Sequence, residues 1–312
     1  MGIIDHRSYF APFEYEQAYE YWLKQQQAHW LHTEVPMSGD VQDWQKLSET
    51  ERSVVGNILK GFTQMEVVVN DYWRRVPTWF PKPEIAMMAT AFANMETIHA
   101  KSYAYLNESL GLNDFKAFQD EPTARARLTN LHRQADITQT YRMLSLAVFS
   151  AFCEGVQLFS SFAVLMNFSR FNKLKGVGQI VAFSSKDESL HSEAGCWLFR
   201  QAIAERPSLK TAGLTKGIYE AAETVIQLED NFIDQVFDGG EVEGLTANEL
   251  KQYIRGRVDT KLVDLGLDPI GYERGALEWF DYLVAGVEHQ DFFAQRPTSY
   301  SKGVADFAHV FD

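Results

Sequence analysis

Residues 86–99 read AMMATAFANMETIH, a run with no helix breaker and no charge until Glu96, which is followed three residues later by His99. Positions three apart on an α-helix share one face, so a carboxylate and an imidazole point together out of a segment that is otherwise apolar. The same pairing recurs at Glu188 and His191 in VGQIVAFSSKDESLH, residues 177–191. Two more apolar segments carry a lone acid: Glu66 in ILKGFTQMEVVV, residues 58–69, and Glu154 in AVFSAFCEGVQLFSSFAVLM, residues 147–166. One Glu-x-x-His pair is an ordinary coincidence in a chain of 312 residues with 8 His. Two such pairs on separate apolar helices, with lone glutamates on two others, are not. Unpaired buried carboxylates cost several kcal/mol each, so four together would rival the roughly 5–15 kcal/mol by which a domain is stable at all.

Those acids must therefore be neutralised, and the segments that carry them offer no matching set of interior Lys or Arg. Four carboxylates balance two divalent cations. A Glu on each of two helices plus a Glu-x-x-His on each of two others is the donor set of dinuclear carboxylate bundles. Oxygen-rich donors with only two imidazoles suit iron or manganese better than zinc or copper. A zinc-protease motif is excluded, because it needs His directly before the Glu, where Met95 and Asp187 stand. The bland alternative is that Glu96 and Glu188 are solvated and the histidines only fill space.

Outward from these motifs the sequence reads as all-α. Prolines cluster at breaks such as Pro36, Pro77, Pro81, Pro83 and Pro207, and the stretches between them lack period-2 alternation. Helices are expected over Phe13–Trp30, Arg52–Trp73, Glu84–Leu110, Tyr141–Phe168, Val177–Glu205, Leu214–Phe237, Thr246–Leu265 and Tyr272–Val287. Capping boxes mark Ser48 to Glu51 and Thr246 to Glu249. Arg125 to Gln139 reads as a polar helix on the surface. Leu144–Phe168 has one charged residue, Glu154, and the length of a membrane span. A mid-span carboxylate is costly in lipid, and the other wide apolar faces need a partner, so it is expected at the centre of a bundle away from any membrane.

Composition narrows the partners. The 29 Lys+Arg against 42 Asp+Glu leave a formal charge of −13 with no basic block, which gives a nucleic acid no electrostatic hold. Cys153 and Cys196 sit in apolar runs and form no disulfide framework, as expected in a reducing cytoplasm. The start, MGIIDHRSYFAPFEYEQ, has no apolar core of a secretory signal.

With METIHAKSY (95–103), AFCEGVQLF (151–159) and SKDESLH (185–191) in view, the chain resembles the small, radical-generating subunit of class I ribonucleotide reductase over nearly its whole length. The resemblance implies a ferritin-like helical bundle over residues 1–290 and a tail, 291–312, that docks onto a large catalytic subunit. It implies metal ligands at Glu66, Glu96, His99, Glu154, Glu188 and His191, and a radical-bearing tyrosine at Tyr103, four residues beyond His99. It implies that Asp187 links a ligand histidine to Trp30 and that Tyr300 in the tail passes the oxidising equivalent on. A homodimer in the cytoplasm, activated by oxygen or superoxide, is further implied. Many members have aspartate where Glu66 stands, and branches with glutamate there are associated with manganese, some without a stable tyrosyl radical. Two manganese, two iron and mixed manganese/iron clusters all stay open.

Two other readings compete. A ligand-binding oxidase of the same superfamily also has glutamate first and can join a valine to a tyrosine beside the metals; Val69 fits, but Phe149 stands at the tyrosine position. Metal storage of the ferritin type uses chains of about half this length and has no need of Tyr300.

Overall fold

In the computed structural model, which describes residues 2–112, 125–127, 129–130 and 142–284, the helices α1 (Glu16–Gln27), α2 (Ser38–Lys46), α3 (Glu49–Arg75) and α4 (Pro83–Leu110) are followed by α5 (Arg142–Val148), α6 (Phe159–Arg170), α7 (Lys175–Glu205), α8 (Ala212–Val236) and α9 (Ala247–Asp264). Both capping boxes form. Ser48 accepts from the Glu51 N–H while the Glu51 side chain takes the Ser48 N–H, and Thr246 and Glu249 do the same at the start of α9. Pro83 opens α4 and Gly111, at φ +76°, ends it. No strand occurs among the described residues; one isolated bridge joins Val242 to Leu245.

The bundle packs α3 against α4, and α7 against both α6 and the segment between α5 and α6. That segment, Phe149–Gln157, is a π-helix in the middle of the expected Tyr141–Phe168 helix. A π turn bonds each N–H to the carbonyl five residues back and leaves other carbonyls unsatisfied. Arg257 donates to the Gly155 carbonyl and Arg127 to the Gln157 carbonyl. The wider turn fits tightly: a Cβ on Gly155 would lie 2.6 Å from the Ser192 hydroxyl, and one on Gly195 would collide with Ser150. The apolar window within Arg142–Arg170 is long enough to cross a membrane but is wholly buried inside the bundle, as the sequence implied.

Elsewhere the chain departs from the sequence reading. α1 ends at Gln27, so Trp30 sits in the loop beyond it rather than on the helix. α2 was not foreseen; its buried Asp40 accepts from the N–H groups of Gly176 and Val177 and so caps α7. Arg127, expected on a polar surface helix, is buried, with Nε 3.0 Å from Glu229 Oε1 and its guanidinium 3.9 Å from the Phe232 ring. A charge enters the core when a distant helix supplies its partner, and composition cannot reveal that. Residues 272–275 are not helical; Asp259 accepts from the N–H groups of Ile270, Gly271 and Tyr272, and the helix begins only at residue 278, after a turn. The boundary between residues 290 and 291, the docking tail and Tyr300 lie outside the described residues.

Candidate metal centre

α3, α4, the π segment and α7 each turn one acid inward. Glu66, Glu96, Glu154 and Glu188 are all buried, as are His99 and His191. The donor atoms of Glu66, Glu96, His99 and Glu188 lie within 4.8 Å of one another, and so do those of Glu96, Glu154, Glu188 and His191. Glu96 and Glu188 belong to both groups. Glu96 Oε2 is 3.0 Å from His99 Nδ1 while its Oε1 is 2.7 Å from His191 Nδ1. Glu188 Oε1 is 3.1 Å from His99 Nδ1 and its Oε2 3.8 Å from His191 Nδ1. Each Glu-x-x-His acid thus spans both imidazoles, whereas Glu66 and Glu154 serve one end each. All six ligand positions read from the sequence converge.

The polar atoms are left in want of a partner. Both oxygens of Glu66 and Oε2 of Glu154 are buried without a hydrogen bond, and the inward atoms of Glu96, Glu188, His99 and His191 meet only one another. Such a density of orphaned groups is expected where a cation, and not a proton donor, completes the site. Electrostatics agree. Burial, then the neighbouring Glu96, pushes the Glu66 carboxyl well above its usual range, and burial with Glu96 and Glu154 does the same to Glu188. Burial also opposes the charge on Glu96, but His191 and His99 prevail and hold it down to about 2. His191 is raised to about 9, burial being outweighed by Glu96 and Glu154, and His99 is raised by Asp187, Glu188 and Glu96 against burial. Protons on the imidazoles stand in for the cation.

Outside the six, each imidazole is held by its far nitrogen. His99 Nε2 lies 3.0 Å from Asp187 Oδ2, and the Trp30 indole N–H donates to the same oxygen at 2.8 Å. Trp30 also stacks on His99, with centroids 5.8 Å apart. His99, Asp187 and Trp30 thus form one continuous chain of contacts. Two residues were missed from the sequence. Gln25 of α1 donates to Asp187 Oδ1 at 2.8 Å and faces His191 Nε2 with its oxygen at 2.9 Å. Trp73 donates to Glu154 Oε1 at 2.6 Å. Both were findable: Gln25 shares the buried face of α1 with Ala18 and Tyr21, and Trp73 lies two turns from Glu66 on the same face of α3.

Tyr103, on α4 one turn past His99, is buried with its ring 4.6 Å from Phe62 and 6.3 Å from His99, and its hydroxyl has no hydrogen-bond partner. Burial and the nearby Glu66 raise its pKa well above the ordinary value. Tyr105 points elsewhere, onto His32. At the other end Phe149 lies flat on Tyr72, centroids 3.6 Å apart, so the position where the oxidase needs a tyrosine is an apolar ring in a stack.

The chain is similar to known proteins over most of its length. Residues 7–274 match the family model of the ribonucleotide reductase small chain. A probable ribonucleoside-diphosphate reductase small subunit of Invertebrate iridescent virus 3 is 35% identical, over 95% of this chain and 85% of its own. The ribonucleoside-diphosphate reductase subunit beta of Chlamydia pneumoniae is 28% identical, over 93% and 88%. Among solved structures, the ribonucleotide reductase R2 subunit of Clostridium botulinum superposes with a TM-score of 0.83 at 17% identity, covering 91% of this chain and 94% of that one. Dimanganese(II)-NrdF of Streptococcus sanguinis gives 0.79 at 22%, covering 91% and 99%. The bundle is accordingly the ferritin-like one expected, and the chain belongs to the ribonucleotide reductase small-chain family.

Proposed function

We propose that Glu66, Glu96, His99, Glu154, Glu188 and His191 hold two divalent ions, manganese or iron, with Glu96 and Glu188 shared between them. The observation that carries this reading is the pair of four-residue groups with two acids in common, in which four buried carboxylates face only two imidazoles and both oxygens of Glu66 and Oε2 of Glu154 have no hydrogen bond. As the small subunit of ribonucleoside-diphosphate reductase, the chain works with a large subunit that reduces ribonucleotides. When bound, the metals supply one-electron oxidising power drawn from oxygen or superoxide. The protein's own part is to position and insulate. Asp187 and Gln25 fix both imidazoles, and outer partners of this kind set ligand orientation and basicity. Wholly buried Tyr103 keeps its proton and is shielded from water, which suits a phenol that stores an oxidising equivalent.

Trp30, joined to His99 through Asp187, gives the route outward, and Tyr300 in the 291–312 tail carries it to the large subunit. The metal pair is dimanganese, di-iron or mixed; the dimanganese neighbour from Streptococcus sanguinis supports manganese among these. A homodimer in the cytoplasm completes the reading, and the two buried, unbridged cysteines fit that reducing compartment. Metal analysis with electron paramagnetic resonance after oxygen or superoxide exposure tests it, together with turnover in the presence of the large subunit. Two ions per chain, and turnover lost in Trp30→Phe with the ions retained, are expected. Efficient ribonucleotide reduction by this chain alone would sink the proposal.

A further inference from the structure

We infer that Trp73 is a positioning residue that commits one oxygen of Glu154 away from the metals and so makes the two metal positions unequal. The inference rests on the proposed metal-binding role of the six residues. Trp73 is fully buried on α3, and its N–H donates to Glu154 Oε1 at 2.6 Å. The other oxygen, Oε2, makes no hydrogen bond and lies 3.9 Å from His191 Nδ1. At the opposite end both oxygens of Glu66 are without a partner. One terminal acid is therefore free to offer two oxygens, whereas the other offers one. The indole cannot swing aside, because Phe92, Tyr72 and His191 meet it edge to face at 5.0, 5.6 and 5.9 Å.

A second asymmetry acts in the same direction. His99 is backed by a carboxylate, Asp187, while His191 is backed by the neutral amide of Gln25. A carboxylate behind an imidazole makes it the more basic ligand. A hydrogen bond donated to a carboxylate stabilises its charge and makes it a poorer donor to a cation. Both effects weaken the Glu154 and His191 end, which fills second. The ordinary alternative is a core tryptophan that has found the nearest acceptor, with no effect on the metals. The two differ in sign: damage to packing weakens metal binding, whereas release of Glu154 Oε1 strengthens it at one position only.

The test is an anaerobic titration of the metal-free full-length chain with Mn(II), free ion being followed by its paramagnetic resonance signal, in wild type, Trp73→Phe and Trp73→His. Wild type is expected to take up two ions, the second more weakly. In Trp73→Phe the second ion is expected to bind about tenfold more tightly, the scale of one hydrogen bond to a charged group, with the first unchanged. Trp73→His retains a ring N–H and is expected to keep the wild-type pattern. A second ion that binds Trp73→Phe no more tightly than wild type would overturn the inference, as would Trp73→His binding it more tightly. Uptake of fewer than two ions by wild type would overturn the metal reading itself.

Discussion

Gln25 and His191 meet across the α1–α7 contact, with Gln25 Oε1 2.9 Å from His191 Nε2. The same amide gives its N–H to Asp187, so one residue of α1 steadies the outer partners of both imidazoles. Substitution Gln25→Leu leaves two buried polar groups short of a partner. It is expected to lower stability by about 1–3 kcal/mol and to weaken metal binding roughly 10- to 100-fold. Denaturant unfolding and metal titration check this; unaltered affinity would show that Gln25 does not orient the histidines.

The metal-free centre should be sensitive to alkali. In the fold His191 keeps its proton to about 9, against 6.5 for the ordinary side chain, and Glu66 and Glu188 are also raised. Stability from groups raised in this way is complete below their unfolded values and is lost as pH climbs, for His191 between 6.5 and about 9. Glu96, held down to about 2, acts the other way, contributing above 4.5 and losing that contribution in acid. Metal binding displaces the protons, so its stabilising effect grows with pH. The melting temperature of chelator-treated protein is expected to fall from pH 6 to 9 while its gap from the Mn(II)-loaded form widens. A constant gap would argue that these groups do not bind the ion.

Tyr103→Phe removes a hydroxyl that is buried without a partner. Stability is expected to stay within about 1 kcal/mol of wild type, with any change toward greater stability. Two metal equivalents should be retained, and any tyrosyl radical signal produced by oxidation should vanish. Persistence of that signal would place the radical on another residue.

The buried pair of Arg127 and Glu229 joins residues 125–127 to α8, and Ser160 also donates to Glu229 at 2.5 Å. Removing one partner strands a buried charge. Glu229→Leu or Arg127→Met is expected to cost about 3–5 kcal/mol, and the double substitution much less than the sum. A double-mutant cycle in urea measures the coupling; additive losses would show that the two charges do not depend on each other.

Much of the centre was legible because its rules are local. Three-residue spacing decides that Glu96 and His99 share a face, and likewise Glu188 and His191, whatever surrounds the helix. The cost of burying an acid in ILKGFTQMEVVV or AVFSAFCEGVQLF is likewise set by the neighbours in sequence. Capping boxes at Ser48 and Thr246 formed for the same reason, since each closes within four residues.

Tertiary structure alone decided the rest, because it depends on groups far apart in the chain. Which acids would be shared between two ions follows from distances between α4 and α7: Glu96 reaches both imidazoles, and Glu66 does not share that place. The π turn at Phe149–Gln157 exists where Arg127 and Arg257 can take its spare carbonyls, a condition invisible in a stretch that reads as an ordinary apolar helix. Trp73 and Gln25 lie on faces that the sequence marks as buried, yet only folding names Glu154 and His191 as their partners. Helical spacing determined the chemistry that each segment carries; the packing of the helices determined which of those atoms meet.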